Sequence, residues 1–197
     1  LNTTGSDKEA DCDKCGCGKY STILGMTNDS CVDCTAGKYS DGEGNTKEDD
    51  CVECLMGKYS TDVSACTDTC LECAAGKYSS EVGNNDESDC QLCPAGKYLN
   101  TTGNDALSDC VDCPAGTYST EDGAALLNNC TDCECGKYSS ATAATSMDSC
   151  QECGAGKCVT GTYAPGSGND EVDDCELCAM GKYFTVGGQC DDPCLSC

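Results

Sequence analysis

The sequence predicts a small disulfide-rich fold of β-strands and coil with essentially no helix, built as an elongated rod of about ten tandem cysteine-rich modules. Ten Cys-x-x-Cys pairs recur every 19 or 20 residues, with one interval of 25, and such a period is typical of a repeat array. Composition points the same way, because 25 of the 197 residues are cysteine, Trp is absent and there is one Phe. Modules this small need covalent staples in place of a hydrophobic core.

Each module is built around the phrase Gly-Lys-Tyr, which follows most Cys-x-x-Cys pairs and is represented by Gly96 and Tyr98. A glycine fixed at that point predicts a positive φ or a close backbone approach. We expect the tyrosine ring to lie over a disulfide with its hydroxyl in water or on a backbone group; the alternative is a surface row of tyrosines for ligand stacking. Short strands are predicted around Lys-Tyr-Ser, followed by polar loops, with one helical turn within Gly123–Asn129.

A longer period groups the modules. Five cysteines lie outside the pairs: Cys17, Cys66, Cys135, Cys158 and Cys190. Cys135 repeats Cys17 at an offset of 118 residues and Cys190 repeats Cys66 at 124, and an insertion near residues 158–162 explains most of the difference. We therefore predict a partial module at 1–11, a six-module super-repeat at 12–129, and the truncated start of a second super-repeat at 130–197.

The charge of the chain argues against several functions. The net charge is −24 and all eleven basic residues are lysines, so phosphate would repel the chain and neither nucleic acid nor direct membrane contact is expected. Without histidine or arginine, the usual proton shuttle and oxyanion clamp are missing, so we expect no enzyme. No cofactor is expected either, although the carboxylate clusters Asp41–Glu43, Glu48–Asp50 and Asp173–Asp174 allow weak Ca²⁺ binding.

The cysteine content also indicates the compartment, because so many cysteines stay oxidised only in a secreted or cell-surface protein. Asn-x-Ser/Thr acceptors at Asn2, Asn28, Asn100 and Asn129 then predict covalent glycans in the loops. Cys130 at the middle position of the last acceptor lowers its expected occupancy. No run of 18 apolar residues occurs, so no membrane span is predicted.

One module carries a family resemblance. The phrase Cys93-Pro-Ala-Gly-Lys-Tyr98, followed by a polar loop and a further Cys-x-x-Cys at Cys110, resembles the ephrin-receptor-like cysteine-rich repeat. It is also similar to the first submodule of tumour-necrosis-factor-receptor cysteine-rich domains. The resemblance covers nearly the whole chain and implies an extracellular, elongated, disulfide-bonded protein. Cys17 and Cys135 inside the phrase, and Cys158 in place of a tyrosine, depart from the pattern.

The resemblance further implies that the second cysteine of each pair bonds the first of the next pair. The implied bonds are Cys15–Cys31, Cys34–Cys51, Cys73–Cys90, Cys93–Cys110, Cys113–Cys130, Cys133–Cys150 and Cys153–Cys175. Each closes a loop of about 17 residues, longer for the last, which stabilises by roughly 3 kcal/mol in the loop-entropy description. Zinc is the alternative at this spacing, and the head-to-tail continuity and the odd cysteine count argue against it.

The five irregular cysteines are assigned from the super-repeat. Because they recur together in both copies, we expect Cys17 to bond Cys66 or Cys70. By the same reasoning Cys135 is expected to bond Cys190 or Cys194. Cys158 has no counterpart and is expected to be a free or interchain thiol, with a local Cys135–Cys158 bond as its rival.

These observations predict a structural extracellular protein that forms the shaft of a filament, appendage or cell coat, by self-association or with neighbouring subunits. The alternative is the ectodomain stalk or antigen of a receptor-like surface protein that binds a protein or glycan ligand. Near-uniform modules favour the first, because a binding module usually carries one distinctive loop. Leu1–Gly5 repeats Leu99–Gly103 without the phrase that precedes the second copy, so we also expect the chain to be a window from a longer array.

Overall fold

A computed structural model describes residues 14–23, 30–134 and 137–152 in full, and only the backbone of four further short strands between residues 157 and 196. The chain divides into two compact units. The first comprises Leu1–Ala74, Tyr78–Gln91 and Thr102–Ala106. The second comprises Ala75–Lys77, Leu92–Thr101 and Leu107–Cys197.

The regular structure of the described residues consists of very short antiparallel strand pairs. Each Lys-Tyr or Thr-Tyr strand pairs with the two residues inside the next Cys-x-x-Cys, so that Lys97 lies opposite Asp112 and Tyr98 opposite Val111. The strands are β1 (Lys19–Tyr20), β2 (Val32–Asp33), β3 (Lys38–Tyr39), β4 (Val52–Glu53), β5 (Lys58–Tyr59), β6 (Leu71–Glu72), β7 (Lys77–Tyr78), β8 (Gln91–Leu92), β9 (Lys97–Tyr98), β10 (Val111–Asp112), β11 (Thr117–Tyr118), β12 (Thr131–Asp132), β13 (Lys137–Tyr138), β14 (Gln151–Glu152), β15 (Lys157–Val159), β16 (Cys175–Leu177), β17 (Lys182–Tyr183) and β18 (Leu195–Ser196). Consecutive odd and even strands form two-stranded sheets, and the fold is the predicted disulfide-rich β/coil type.

Single 3₁₀ turns are the helical elements of the described residues, and each ends just before the first cysteine of a pair. They are Glu48–Asp50, Glu87–Asp89, Leu107–Asp109, Leu127–Asn129 and Met147–Ser149. The side chain of the last residue fixes the turn, as where the Asp89 carboxylate accepts the backbone N–H of Asn85 at 2.9 Å. The helical turn expected within Gly123–Asn129 is therefore the 3₁₀ turn at its end, and it belongs to the repeat.

The buried interior consists of sulfur and small side chains. The second cysteine of each described pair is at most 1% exposed, and the serine after the tyrosine is buried in most modules. Most large apolar side chains lie outside, for example Leu55 at 69% and Ile23 at 60% exposure; Leu99, which takes the place of the serine in module 5, is buried at 3%. The cystines thus replace the apolar core that modules of this size cannot build.

Candidate functional site: the module junction

The repeated modules are closed by disulfides, and we number them by those bonds. Modules 1 to 7 are closed by Cys15–Cys31, Cys34–Cys51, Cys54–Cys70, Cys73–Cys90, Cys93–Cys110, Cys113–Cys130 and Cys133–Cys150. Six of these are pairs that the family resemblance implied, and Cys153–Cys175 lies outside the described residues. The seventh, Cys54–Cys70, follows the same rule, although the expected set leaves it out and gives Cys70 as an alternative partner for Cys17. The sulfurs of these cysteines are bonded to one another in pairs.

Each junction between consecutive modules begins with a bond from the phrase glycine. Its N–H donates to the carbonyl of the residue after the tyrosine in the next module, as from Gly57 to Ser79 at 2.8 Å. The same bond recurs at six junctions, over 2.7–2.9 Å: Gly18–Ser40, Gly37–Ser60, Gly57–Ser79, Gly76–Leu99, Gly96–Ser119 and Gly116–Ser139. The backbone donor of the phrase is therefore satisfied by the neighbouring module.

Two further backbone bonds complete the junction. The N–H of the residue after the tyrosine donates to a loop carbonyl of the next module, as from Ser60 to Asn84 at 3.1 Å. The loop residue just before that acceptor donates its own N–H to the carbonyl oxygen of the buried cysteine in the earlier module, as from Gly83 to Cys54 at 2.8 Å. Both bonds also recur at six junctions. Because all three bonds join backbone atoms, the junction depends little on which side chains the loops carry.

The phrase glycine also touches the module after next. Its φ is +70° to +83° at positions 18, 37, 57, 76, 96 and 116. A methyl group added at Gly37 would lie 2.2 Å from the carbonyl oxygen of Gly83, two modules later, and one at Gly57 would lie 2.3 Å from that of Gly103. The sequence predicted a positive φ or a close approach, and both apply. Because the phrase residue has no side chain, a module can contact its second neighbour as well as its first.

In some modules an asparagine side chain adds hydrogen bonds across the junction. The Nδ2 of Asn84 lies 3.1 Å from the carbonyl oxygen of Lys58 in the preceding module and 2.8 Å from Ser79 Oγ. Sequence reasoning missed this residue, although the Gly-Asn dipeptide recurring in the loops was its signal. Module 6 has Ala124 at this position, and there the Oγ of Ser119, 1% exposed, has no hydrogen-bond partner.

Cross-strand ion pairs lie on the surface of the strand pairs. Lys19 Nζ is 2.6 Å from the Asp33 carboxylate, and this hydrogen bond with that from Ser64 lowers the pKa of Asp33. Partial burial lowers the pKa of Lys38, but the hydrogen bonds to Glu48 and Glu53 together outweigh it, so the pKa of Lys38 is raised. Such exposed pairs each contribute little to stability.

Module 6 departs from this pattern. Its lysine is replaced by Thr117, which is fully buried and donates to the Pro114 carbonyl at 2.8 Å. The opposing Asp132 has no facing lysine, and burial raises its pKa. In modules 1, 2 and 5 the lysine of the phrase forms an ion pair with the acid opposite it. Thr117 shows that this lysine is not needed for the backbone arrangement.

An eighth disulfide of the described residues, Cys17–Cys66, joins module 1 to module 3, with its Cα atoms 4.8 Å apart. Of the two partners expected for Cys17, the structure has Cys66, and Cys70 closes module 3. A straight rod would hold these cysteines apart, but the approach of Gly18 to the Ser64 carbonyl brings the two modules together. Cys135, Cys158 and Cys190 lie outside the described residues.

The remaining predicted sites lie on the surface. Tyr98 is half-buried, and in two other modules the hydroxyl donates to a glutamine side chain, as from Tyr78 to Gln91 at 3.0 Å. Asn100 is exposed, whereas Asn129 is half-buried and its Oδ1 accepts the N–H of Leu126 at 3.0 Å. Asn2, Asn28 and the Asp173–Asp174 cluster lie outside the described residues.

The carboxylates of the Glu48–Asp50 cluster already have partners. Glu48 is 3.3 Å from Lys38 Nζ, and Asp50 accepts the N–H of Thr46 at 2.8 Å. A surface depression of about 430 Å³ beside them is lined by Lys38, Asp49, Cys51, Val52 and Glu53. Its lysine is ion-paired with Glu53 and its cysteine is bonded to Cys34. Within the described ranges, no group of three metal-ligating side chains occurs.

Comparison with known proteins adds no assignment. No protein-family model matches the sequence, and no curated protein matches it significantly. In the part of the chain that the structure describes, no helix is long and apolar enough to span a membrane. The fold and its junctions define the class of the protein: a tandem cysteine-rich repeat of disulfide-stapled strand pairs. Its many disulfides point to an extracellular or secreted setting.

Proposed function

We propose that the chain is a structural extracellular protein whose stapled modules form the shaft of a filament, appendage or cell coat. The observation that carries the proposal is the recurrence of the same three backbone bonds at six junctions. An array with equivalent junctions can be lengthened without any new kind of contact. Its mechanical continuity would come from one disulfide in each module and a backbone ladder between modules.

Composition supports a passive role in the extracellular space. The net charge of −24 keeps the surface of the chain soluble, and the disulfides persist in that compartment. We propose that the partners are neighbouring subunits or further copies of the chain, with glycans attached covalently, and that there is no catalytic activity. The resemblance to ephrin-receptor-like repeats agrees with this role and also with the stalk of a surface receptor.

Imaging of the native material tests the proposal. An antibody against the chain, bound to gold and viewed by electron microscopy, should decorate continuous fibres or a coat at a regular spacing. Two variants expressed in the source cells serve as a matched pair. Gly57→Ala opposes the approach of module 5, whereas the three atoms nearest to the new methyl group of Gly83→Ala all belong to the Glu53 side chain. The first should reduce incorporation and the second should not. Gold confined to isolated cell-surface points, with capture of a protein or glycan ligand, would overturn the proposal in favour of a receptor-like ectodomain.

A further inference from the structure

We propose that the Cys17–Cys66 disulfide is a thiol-exchange site, which reacts with low-molecular-weight thiols of the glutathione class while the module disulfides stay closed. This clasp, as we call the Cys17–Cys66 bond, joins residues 49 apart in the sequence and closes no module of its own. It therefore differs in kind from the seven staples that define the described modules.

Accessibility distinguishes the clasp from the staples. Cys66 is exposed and Cys17 is half-buried. The Cys34–Cys51 staple, by contrast, is 1% and 3% exposed at its two ends. The most accessible ends of the described staples, Cys31 and Cys70, are half-buried, so Cys66 is the one exposed cysteine among the described disulfides. Attack on a disulfide requires a thiolate to reach a sulfur in line with the bond, so exchange follows access. The clasp presents its exposed end, Cys66, to solvent.

The junction does not need the clasp in order to form. In the equivalent contact between modules 2 and 4, the positions of Cys17 and Cys66 are occupied by Ala36 and Asn85. Gly37 still approaches the Gly83 carbonyl there. Opening the clasp should therefore leave a junction of the same kind as its neighbours, and module 1 and module 3 remain folded around their own staples.

The exchange balances without any further reactant. The thiolate of the small thiol attacks the Sγ of Cys66, the Cys17–Cys66 bond breaks, and Cys17 leaves as a thiolate that takes a proton from water. The products are a mixed disulfide at Cys66 and a free thiol at Cys17. Attack by the Cys17 thiolate on Cys66 Sγ reverses the reaction and releases the small thiol.

Opening the clasp would loosen the loop that carries Cys66. Ser64 has a φ of +61°, a position occupied by glycine in modules 2, 4, 5 and 6, and a side chain is disfavoured there. Its Oγ donates to Asp33 at 2.8 Å and lies 3.3 Å from the Gly18 carbonyl. With the clasp open, these contacts alone would hold the loop against module 1, so its amides should exchange faster than those of module 4.

Differential alkylation of the native full chain tests the proposal. The chain is treated with a graded series of reduced glutathione, the released thiols are alkylated at intervals, and the labelled peptides are counted by mass spectrometry. We expect Cys17 to be labelled, and Cys66 to carry glutathione, at least about tenfold faster than label appears at Cys34 and Cys51. Hydrogen exchange should rise at Ser64 and not at Gly83. Equal rates, or earlier opening of a module staple, would overturn the proposal.

A second variant separates exchange at the clasp from general unfolding. The Cys17→Ser, Cys66→Ser double variant lacks the clasp and should keep its module staples as unreactive as those of the native chain. If the module staples of this variant exchange with glutathione faster than those of the native chain, the clasp is a structural bond that protects the modules, and the proposal is wrong. If the variant does not fold, the clasp is structurally required and the proposal is equally wrong.

Discussion

The contact between a module and the module after next predicts a large loss of stability when the phrase glycine is replaced by alanine. In Gly57→Ala the new methyl group would lie 2.3 Å from the carbonyl oxygen of Gly103 and 2.7 Å from its carbon. Both are backbone atoms that cannot rotate away, so the contact must open. We expect about 1–2 kcal/mol for the positive φ of 75°, and about 1 kcal/mol for each of roughly two junction bonds weakened. The total is about 3–4 kcal/mol.

Gly83→Ala provides the matched control. Gly83 has nearly the same φ, +69°, but a methyl group there meets the flexible Glu53 side chain at 3.4 Å. Ala143 occupies the equivalent position in module 7 with a φ of +53°, so the loop tolerates a side chain. This variant should lower the stability only by the cost of placing alanine at a positive φ, about 1–2 kcal/mol.

Native-state hydrogen exchange is the appropriate assay, because it reports local opening module by module while the disulfides stay intact. Gly57→Ala should speed exchange at the amides of modules 3 to 5 by about thirtyfold more than Gly83→Ala does, which corresponds to the difference of about 2 kcal/mol. Equal effects of the two substitutions would show that only φ matters and would refute the second-neighbour contact.

Three further predictions follow from single modules and from the staples. Ala124→Asn should stabilise module 6 by about 1–2 kcal/mol by giving Ser119 Oγ a donor; thermal unfolding tests this, and Ser119→Ala, which removes the unsatisfied hydroxyl, should be nearly neutral. Burial raises the pKa of Asp132, so its contribution to stability is present below its unfolded pKa and lost as pH rises through the folded pKa. Thr117→Lys should lower that pKa, and an unchanged carboxyl titration by NMR would contradict this. Reduction in mild denaturant should abolish the circular dichroism of the fold, whereas a metal chelator alone should not; loss of signal with chelator would contradict the staple assignment.

The sequence predicted what repetition and cysteine spacing control directly. The strand position, the β/coil character and the signature glycine of the module followed from the recurring phrase around Gly96 and Tyr98. These features are local, so a period of 19 or 20 residues is enough to place them. The role of the glycine could be narrowed to positive φ or close approach, and the structure has both.

Contacts between modules could not be read from the sequence. The repeat length does not determine whether a module contacts its second neighbour. In the usual description of repeat proteins, each module contacts only its first neighbours. The sequence therefore leaves Cys66 and Cys70 as alternative partners for Cys17, and the structure decides between them with the Cys17–Cys66 and Cys54–Cys70 bonds. The asparagine amide at Asn84 was missed because its partner, the Lys58 carbonyl, is a backbone atom 26 residues away.

The central claim is that the phrase glycine places its module against the module after next, as it does at positions 18, 37, 57, 76 and 96 of the described residues. An engineered clasp tests this claim most directly. Ala36 and Asn85 occupy in modules 2 and 4 the positions of Cys17 and Cys66 in modules 1 and 3, whose Cα atoms are 4.8 Å apart. We predict that the Ala36→Cys, Asn85→Cys double variant forms this disulfide during expression, recovered as one cross-linked peptide by non-reducing mapping. A control with Ala36→Cys and Asp105→Cys, three modules apart, should yield none. Two free thiols at positions 36 and 85 in an otherwise correctly stapled chain would contradict the account.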